Sequence, residues 1–280
     1  MIDAIKIDNE EQIFPASYQR VHEHVFGQIE AAQIQLDPFP HCYVRNVFPD
    51  DIYLALINNL PTDQHYQKFH APYESRLFFN LSPAGIAGLA PFWTEFEQWI
   101  HSQAFLERMA RRFLPHLQEV QQQRAEQIAV HGTADRVNIG SRTLITRDYA
   151  DYRLGPHTDA AAKFITALFY LPSDDRFSAF GTSLYRPKAS GQTDWRSRHF
   201  NHQDFELVKT VPNLPNSVFI FAKSDRSFHG VSPGNYSNDG RDLMMWIPEI
   251  GLTERNWRPR QLPCSHFVRQ QETSQTGDET

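Results

Sequence analysis

The chain has 280 residues, 40% of them hydrophobic and 13% aromatic, enough to bury a sizeable core. A formal charge of −6 and a pI near 6.1 argue against nucleic acid or an anionic membrane as partner, since both select for basic surfaces. The two cysteines, Cys42 and Cys264, lie far apart and indicate neither a disulfide framework nor a cysteine-based zinc site.

The opening "MIDAIKIDNEEQIF" carries acids where a secretory leader has a basic and then an apolar region. No apolar stretch approaches membrane-spanning length, so the expected location is cytoplasmic. Residues 1–130 read as a mainly helical support. Within them "HCYVRNVF" (41–48) has strand composition, and "PDDIYLALINNLP" reads as a helix capped by Asp50 and closed by Pro61. "ESRLFFNLS" reads as extended. Phe92, Phe96, Trp99 and Ile100, then Leu106, Met109, Phe113 and Leu117, recur at helical spacing and predict two helices packed on a sheet.

Beyond the polar stretch "EVQQQRAEQIAVHGTADR" the pattern changes to short strand-type runs. They fall at 137–149, 164–171, 181–186, 205–211, 217–222, 228–232 and 241–248, divided by Pro, Gly, Asn and Asp clusters. Such a series predicts an antiparallel sandwich or jelly roll rather than alternating strands and helices. The fold class expected is mainly β with N-terminal helices: a single domain over 1–270 with its core at 137–250, and a disordered tail at 271–280. Residues 186–204 form a long polar insertion between strands, the kind of loop that acts as a lid or stays disordered.

The chemistry concentrates in "YRLGPHTDAAAKFITALFYLP". His-x-Asp occurs twice, at His157/Asp159 and His202/Asp204, so the motif alone carries little weight. The first pair follows the turn residues Gly155 and Pro156 and precedes an apolar strand. In extended chain, residues i and i+2 face one side, which lets both side chains point into a barrel mouth. A third ligand, His229, stands in "AKSDRSFHGVSP" directly after the strand "NSVFIFA". Two histidines and one carboxylate on one face of a metal form the facial triad of non-haem Fe(II) oxygenases. Oxygen activation there needs a two-electron donor, and 2-oxoglutarate supplies one when a basic residue holds its distal carboxylate. Arg241, twelve residues after His229 and opening the next strand, offers a guanidinium fork for that purpose. The second pair, His202/Asp204, reads as polar loop residues.

The order H-x-D, "FITALFYL", "GTSLY", "FHGVSP" and "RDL" resembles the Fe(II)/2-oxoglutarate-dependent dioxygenases, specifically their prolyl-hydroxylase-like branch, over about residues 137–250. The resemblance implies a double-stranded β-helix, iron on His157, Asp159 and His229, and 2-oxoglutarate on Arg241 and the Tyr170 hydroxyl. It also implies O2 as oxidant, with ascorbate as an accessory reductant. Gly181-Thr182 stands where a Gly-Gly pair is common in the family, and the retained Asp159 argues against a halogenase. The implied reaction couples decarboxylation of 2-oxoglutarate to hydroxylation of a polar or anionic small molecule or glycan. A protein or peptide hydroxylase and a non-catalytic metal-binding jelly roll are the alternatives. Lys163, where oxygen-sensing relatives carry a basic residue near substrate, and Arg186 and Arg198 in the insertion form the expected substrate-binding set. Phe219 and Phe221 alternate beside the His229 strand and are candidates to line the reaction chamber.

Overall fold

The computed structural model describes residues 15–69, 75–118, 128–133, 135–149, 152–188, 200–232, 240–251 and 260–267. Helix α1 (Gln19–Ala31) buries Val21, Val25, Phe26 and Ile29 along one stripe, and α2 (Asp50–Asn58) follows strand β1 (His41–Arg45). Asp50 is the first helical residue rather than the cap. Pro49 precedes it, and Asp50 and Asp51 sit in the first turn, where the helix dipole favours acids. After β2 (Gln67–Lys68) and β3 (Arg76–Asn80) come α3 (Pro91–Ile100) and α4 (Gln103–Arg112). Proline opens α3 at a position that needs no amide hydrogen, and the Ser102 hydroxyl caps α4 by accepting from the Phe105 N–H at 3.1 Å. The apolar run through Phe113 and Leu117 is broken by a separate short helix, α5 (Leu114–Gln118).

The remaining strands are β4 (Arg136–Asp148), β5 (Leu154–His157), β6 (Ile165–Tyr170), β7 (Thr182–Pro187), β8 (Phe205–Val211), β9 (Ser217–Ala222), β10 (His229–Val231), β11 (Arg241–Ile250) and β12 (Arg260–Pro263). They form two sheets. The larger runs β1-β9-β6-β11-β4-β3-β2, with β12 on β4, and the smaller runs β5-β10-β7-β8. Every strand pairing among the described residues is antiparallel, and strands β4 to β11 pass from one sheet to the other at each step except β7 to β8, which pair within the small sheet, giving a double-stranded β-helix, as expected. The predicted runs at 205–211 and 217–222 coincide with β8 and β9.

Two apolar layers follow from strand alternation. One face of the large sheet presents Ile165, Ala167, Phe169, Val218, Ile220, Met244 and Trp246 to α1, α3 and α4, so the N-terminal helices serve as the sheet's backing. The other face presents Leu168, Tyr170, Phe219, Phe221 and Leu243 inward, where they meet Leu184 and Val211 of the small sheet and Phe39. Between the sheets this face is filled mainly by aromatic and aliphatic groups.

Candidate metal centre

The smaller sheet brings the two histidines together. His229 opens β10 and pairs directly with His157, the last residue of β5, and their ring centroids are 4.2 Å apart. β5 extends through Gly155 and Pro156, which the sequence reads as a turn. It is the edge strand of its sheet, where a proline costs no central ladder bond. Gly230 makes the pairing possible. A Cβ at that position would lie 2.4 Å from the Leu154 carbonyl oxygen and 2.9 Å from that of Gly155, so any side chain there would force β5 away from β10.

Asp159 follows β5 by two residues, and one ligand atom from each of His157, Asp159 and His229 lies within 4.8 Å of the others. They are the one such group among the described residues. Both imidazoles are set for metal. His157 Nδ1 donates to the Gly155 carbonyl at 3.1 Å, and His229 Nδ1 donates to the Ser227 carbonyl at 2.9 Å. Each ring is thereby held in the tautomer whose Nε2 carries the lone pair. Burial, reinforced by His229, lowers the His157 pKa to about 3, and burial lowers that of His229, so neither competes for protons at neutral pH. Burial alone would raise the Asp159 carboxyl, yet the Lys163 ammonium and the two imidazoles hold it well below the usual carboxylate range. Two neutral imidazoles and one carboxylate, each oriented by the protein, fit a divalent first-row metal.

The surroundings of this centre are built from both sheets. Phe221 lies with its ring 4.6 Å from that of His229 and 5.4 Å from Phe219, so these two aromatics form a dry wall beside the ligands. Thr166 Oγ1 donates to Asp159 Oδ2 at 2.7 Å, and Lys163 Nζ donates to Oδ1 at 2.6 Å. Thr166 was absent from the sequence expectation, although its place on the inward row with Leu168 and Tyr170 follows from simple alternation.

Arg241 stands at the other end of the inner face. Leu243 pairs with Tyr170 and Met245 with Leu168, which sets Arg241 beyond Tyr170 and away from the Thr166 end of β6. Its guanidinium is 1% exposed. Nε and Nη2 donate to Asp148 Oδ2 at 3.1 and 2.5 Å, and Nη1 donates to the Phe180 carbonyl at 2.6 Å. Arg76 donates to the same carboxylate through Nε at 2.5 Å and Nη2 at 2.9 Å, and its guanidinium lies 4.0 Å over the Tyr152 ring. Sequence reasoning missed both Arg76 and Asp148. An acid closing the apolar strand "TLITRD" was the available signal. The Tyr170 hydroxyl bonds Thr182 Oγ1 at 2.6 Å, and burial raises its pKa above the ordinary tyrosine range.

The expected substrate residues are dispersed. Lys163 is at the metal ligands. Arg186, near the end of β7, pairs with Asp37 at 2.5 Å and Glu206 at 3.4 Å. A groove of about 400 Å³ runs beside it, bounded by Pro38, Arg226 and Phe228, the last being the neighbour of His229. Arg198 and residues 189–199 of the insertion, like the tail 271–280, lie outside the described residues. His202 and Asp204 form a short turn, with His202 Nε2 3.4 Å from the Tyr185 hydroxyl, and take no part in the metal group. No helix among the described residues is long and apolar enough to cross a membrane.

No protein-family model matches the chain, and no curated protein matches it. Solved structures do. A Pseudomonas putida prolyl-4-hydroxylase is 12% identical, with 80% of this chain and 98% of that one aligned at a TM-score of 0.46. A prolyl hydroxylase from Trichoplax adhaerens, in complex with a hypoxia inducible factor peptide fragment, is 11% identical over 87% and 96% of the two chains at 0.47. HygX from Streptomyces hygroscopicus, with nickel and 2-oxoglutarate bound, is 12% identical over 80% and 87% at 0.42. These likenesses concern the course of the chain alone, and the reading of the site rests on its own residues.

Proposed function

We propose that this chain is a non-haem Fe(II)- and 2-oxoglutarate-dependent dioxygenase that hydroxylates a polar or anionic small molecule or glycan. The observation that carries the reading is the convergence of His157, Asp159 and His229 at one end of the double-stranded β-helix, with each imidazole Nδ1 tied to a carbonyl. Bound iron, with 2-oxoglutarate and O2, would supply the oxidising power to convert the oxo acid to succinate and CO2 and to place one oxygen atom in a substrate C–H bond.

The chain's own part is placement and exclusion of water. Beta-strand pairing fixes His157 against His229, Thr166 fixes Asp159, and Phe221 and Phe219 keep bulk water from one side of the centre. The co-substrate reading assigns its distal carboxylate to Arg241, with Tyr170 as a hydroxyl partner. Both are interior and buried, which suits a carboxylate drawn out of water, and the entering group would share the guanidinium with Asp148. The substrate reading assigns an anionic or polyhydroxylated group to Lys163, Arg186 and Arg198, the last of which lies outside the described residues. In support, Lys163 is beside the metal carboxylate and Arg186 borders the groove next to Phe228.

The test is succinate release. Protein loaded anaerobically with Fe(II) and 2-oxoglutarate, then exposed to O2 with panels of sugars, hydroxy acids, phosphorylated metabolites and proline-containing peptides, is expected to respond to a polar or anionic small molecule. A response confined to peptides would move the assignment to a peptide hydroxylase. Metal binding with no succinate from any panel would favour the non-catalytic reading.

A further inference from the structure

Neither oxygen of Asp159 is idle. Lys163 Nζ holds Oδ1 at 2.6 Å and Thr166 Oγ1 holds Oδ2 at 2.7 Å. The Asp159 and Lys163 side chains are only 8% and 15% exposed, so the contact is shielded from bulk water. Both partners come from anchored backbone. Thr166 is on β6, paired directly with Phe221 of β9. Lys163 is in a turn whose amide donates to the Ala160 carbonyl at 3.1 Å and whose main chain bridges to Glu249, while Ile250 N–H donates to the Ala162 carbonyl at 2.9 Å. The ammonium is thus delivered to the carboxylate by the fold and not by a wandering surface side chain.

A divalent ion held by His157, Asp159 and His229 would have to draw on an Asp159 oxygen that already has a partner, and the two partners differ in charge. The threonine hydroxyl is neutral. It aims the carboxylate and leaves its negative charge for the ion. The ammonium neutralises that charge and sets a like charge next to the ion in a shielded site, where the repulsion is only partly screened. Resting on the metal-centre reading above, we propose that Thr166 and Lys163 are positioning residues acting on Asp159 in opposite directions: Thr166 orients the carboxylate toward the metal, and Lys163 competes with the metal for it. Metal affinity is then set by a cation the chain carries four residues after its own ligand, and not by the three ligands alone.

The experiment titrates the full chain with Mn(II), a redox-stable probe of the Fe(II) site, by calorimetry. Circular-dichroism melts with and without Mn(II) accompany it. Lys163→Met is expected to bind Mn(II) about tenfold more tightly than the wild type, and Lys163→Arg, which keeps the charge, within about twofold of it. Thr166→Val is expected to bind about tenfold more weakly, with Thr166→Ser restoring wild-type affinity. Lys163→Met should also melt lower without Mn(II), because Asp159 loses its counter-ion, and gain more on adding it. Lys163→Gln, a milder change, should shift affinity in the same direction and serves if Lys163→Met does not fold. Mn(II) binding by Lys163→Met and Lys163→Gln that is equal to or weaker than wild type overturns the competition. Absence of Mn(II) binding in the wild type is a different result, which overturns the metal centre itself and this inference with it.

Discussion

Replacing Arg241 with alanine separates the two jobs that fall on this residue. Its guanidinium donates twice to Asp148 and once at 2.6 Å to the Phe180 carbonyl, in a site with almost no solvent. Truncation leaves that carbonyl without this donor, but Asp148 keeps both hydrogen bonds from Arg76. Breaking a buried ion pair costs about 3–5 kcal/mol when the remaining charge is stranded. With Arg76 still paired to Asp148 the carboxylate is not stranded, so a smaller loss of about 2–4 kcal/mol is expected. For a domain of this size that corresponds to a fall in Tm of roughly 5–15 °C. The same variant, folded below its Tm and loaded with Mn(II), should lose 2-oxoglutarate affinity far more than Mn(II) affinity, and Arg241→Lys should restore only part of it. The assays are thermal melts and calorimetric titrations of metal and co-substrate. An unchanged Tm would refute the buried ion cluster. A lowered Tm with unchanged 2-oxoglutarate affinity would show that the guanidinium is structural only and that another basic residue holds the co-substrate.

Three further outcomes follow from the packing. Asp148→Asn should destabilise more than Arg241→Ala, by about 3–5 kcal/mol in chemical denaturation, because two guanidiniums lose one shared carboxylate; an effect below that of Arg241→Ala would contradict the arrangement. Gly230→Ala should weaken Mn(II) binding sharply by driving β5 from β10, and equal affinity to wild type would show that the strands do not approach so closely. Burial lowers the His22 pKa to about 4, whereas the unfolded chain titrates near 6.5. Between these values the unfolded state binds more protons, so stability falls as pH drops from about 6.5 to 4, by at most about 3 kcal/mol. His22→Gln keeps an acceptor for the Trp99 indole and should flatten that part of the curve; an unaltered pH dependence would remove His22 as its source.

Much of the fold was legible because strand alternation and helical stripes are local signals. The runs at 164–171, 205–211 and 217–222 carry continuous apolar or alternating patterns; β8 and β9 match the last two, and β6 lies one residue inside the first at each end. Strand β5 was not legible. Gly155 and Pro156 are turn residues by composition, and only the edge position of β5 makes them acceptable in a sheet. The triad could be read because its three residues sit beside strands with clear signatures. Their second contacts were less accessible. The Arg76–Asp148–Arg241 cluster joins residues 72 and 93 positions apart, a distance over which one sequence gives no pairing signal. Lys163 was legible as a residue near the centre, but its bond to Asp159 depends on the turn that Glu249 and Ile250 pin, which no local pattern reveals.

The proposed function requires His157, Asp159 and His229 together to hold one divalent metal. Its most direct test is anaerobic Fe(II) titration of the wild type and of Asp159→Ala, His157→Ala and His229→Ala, each checked for fold by circular dichroism and each repeated with 2-oxoglutarate present. One Fe(II) per chain is expected in the wild type, bound more tightly in the presence of 2-oxoglutarate, with that site lost in every variant and the β-rich spectrum retained. Wild-type stoichiometry and affinity surviving in any of the three folded variants would contradict it.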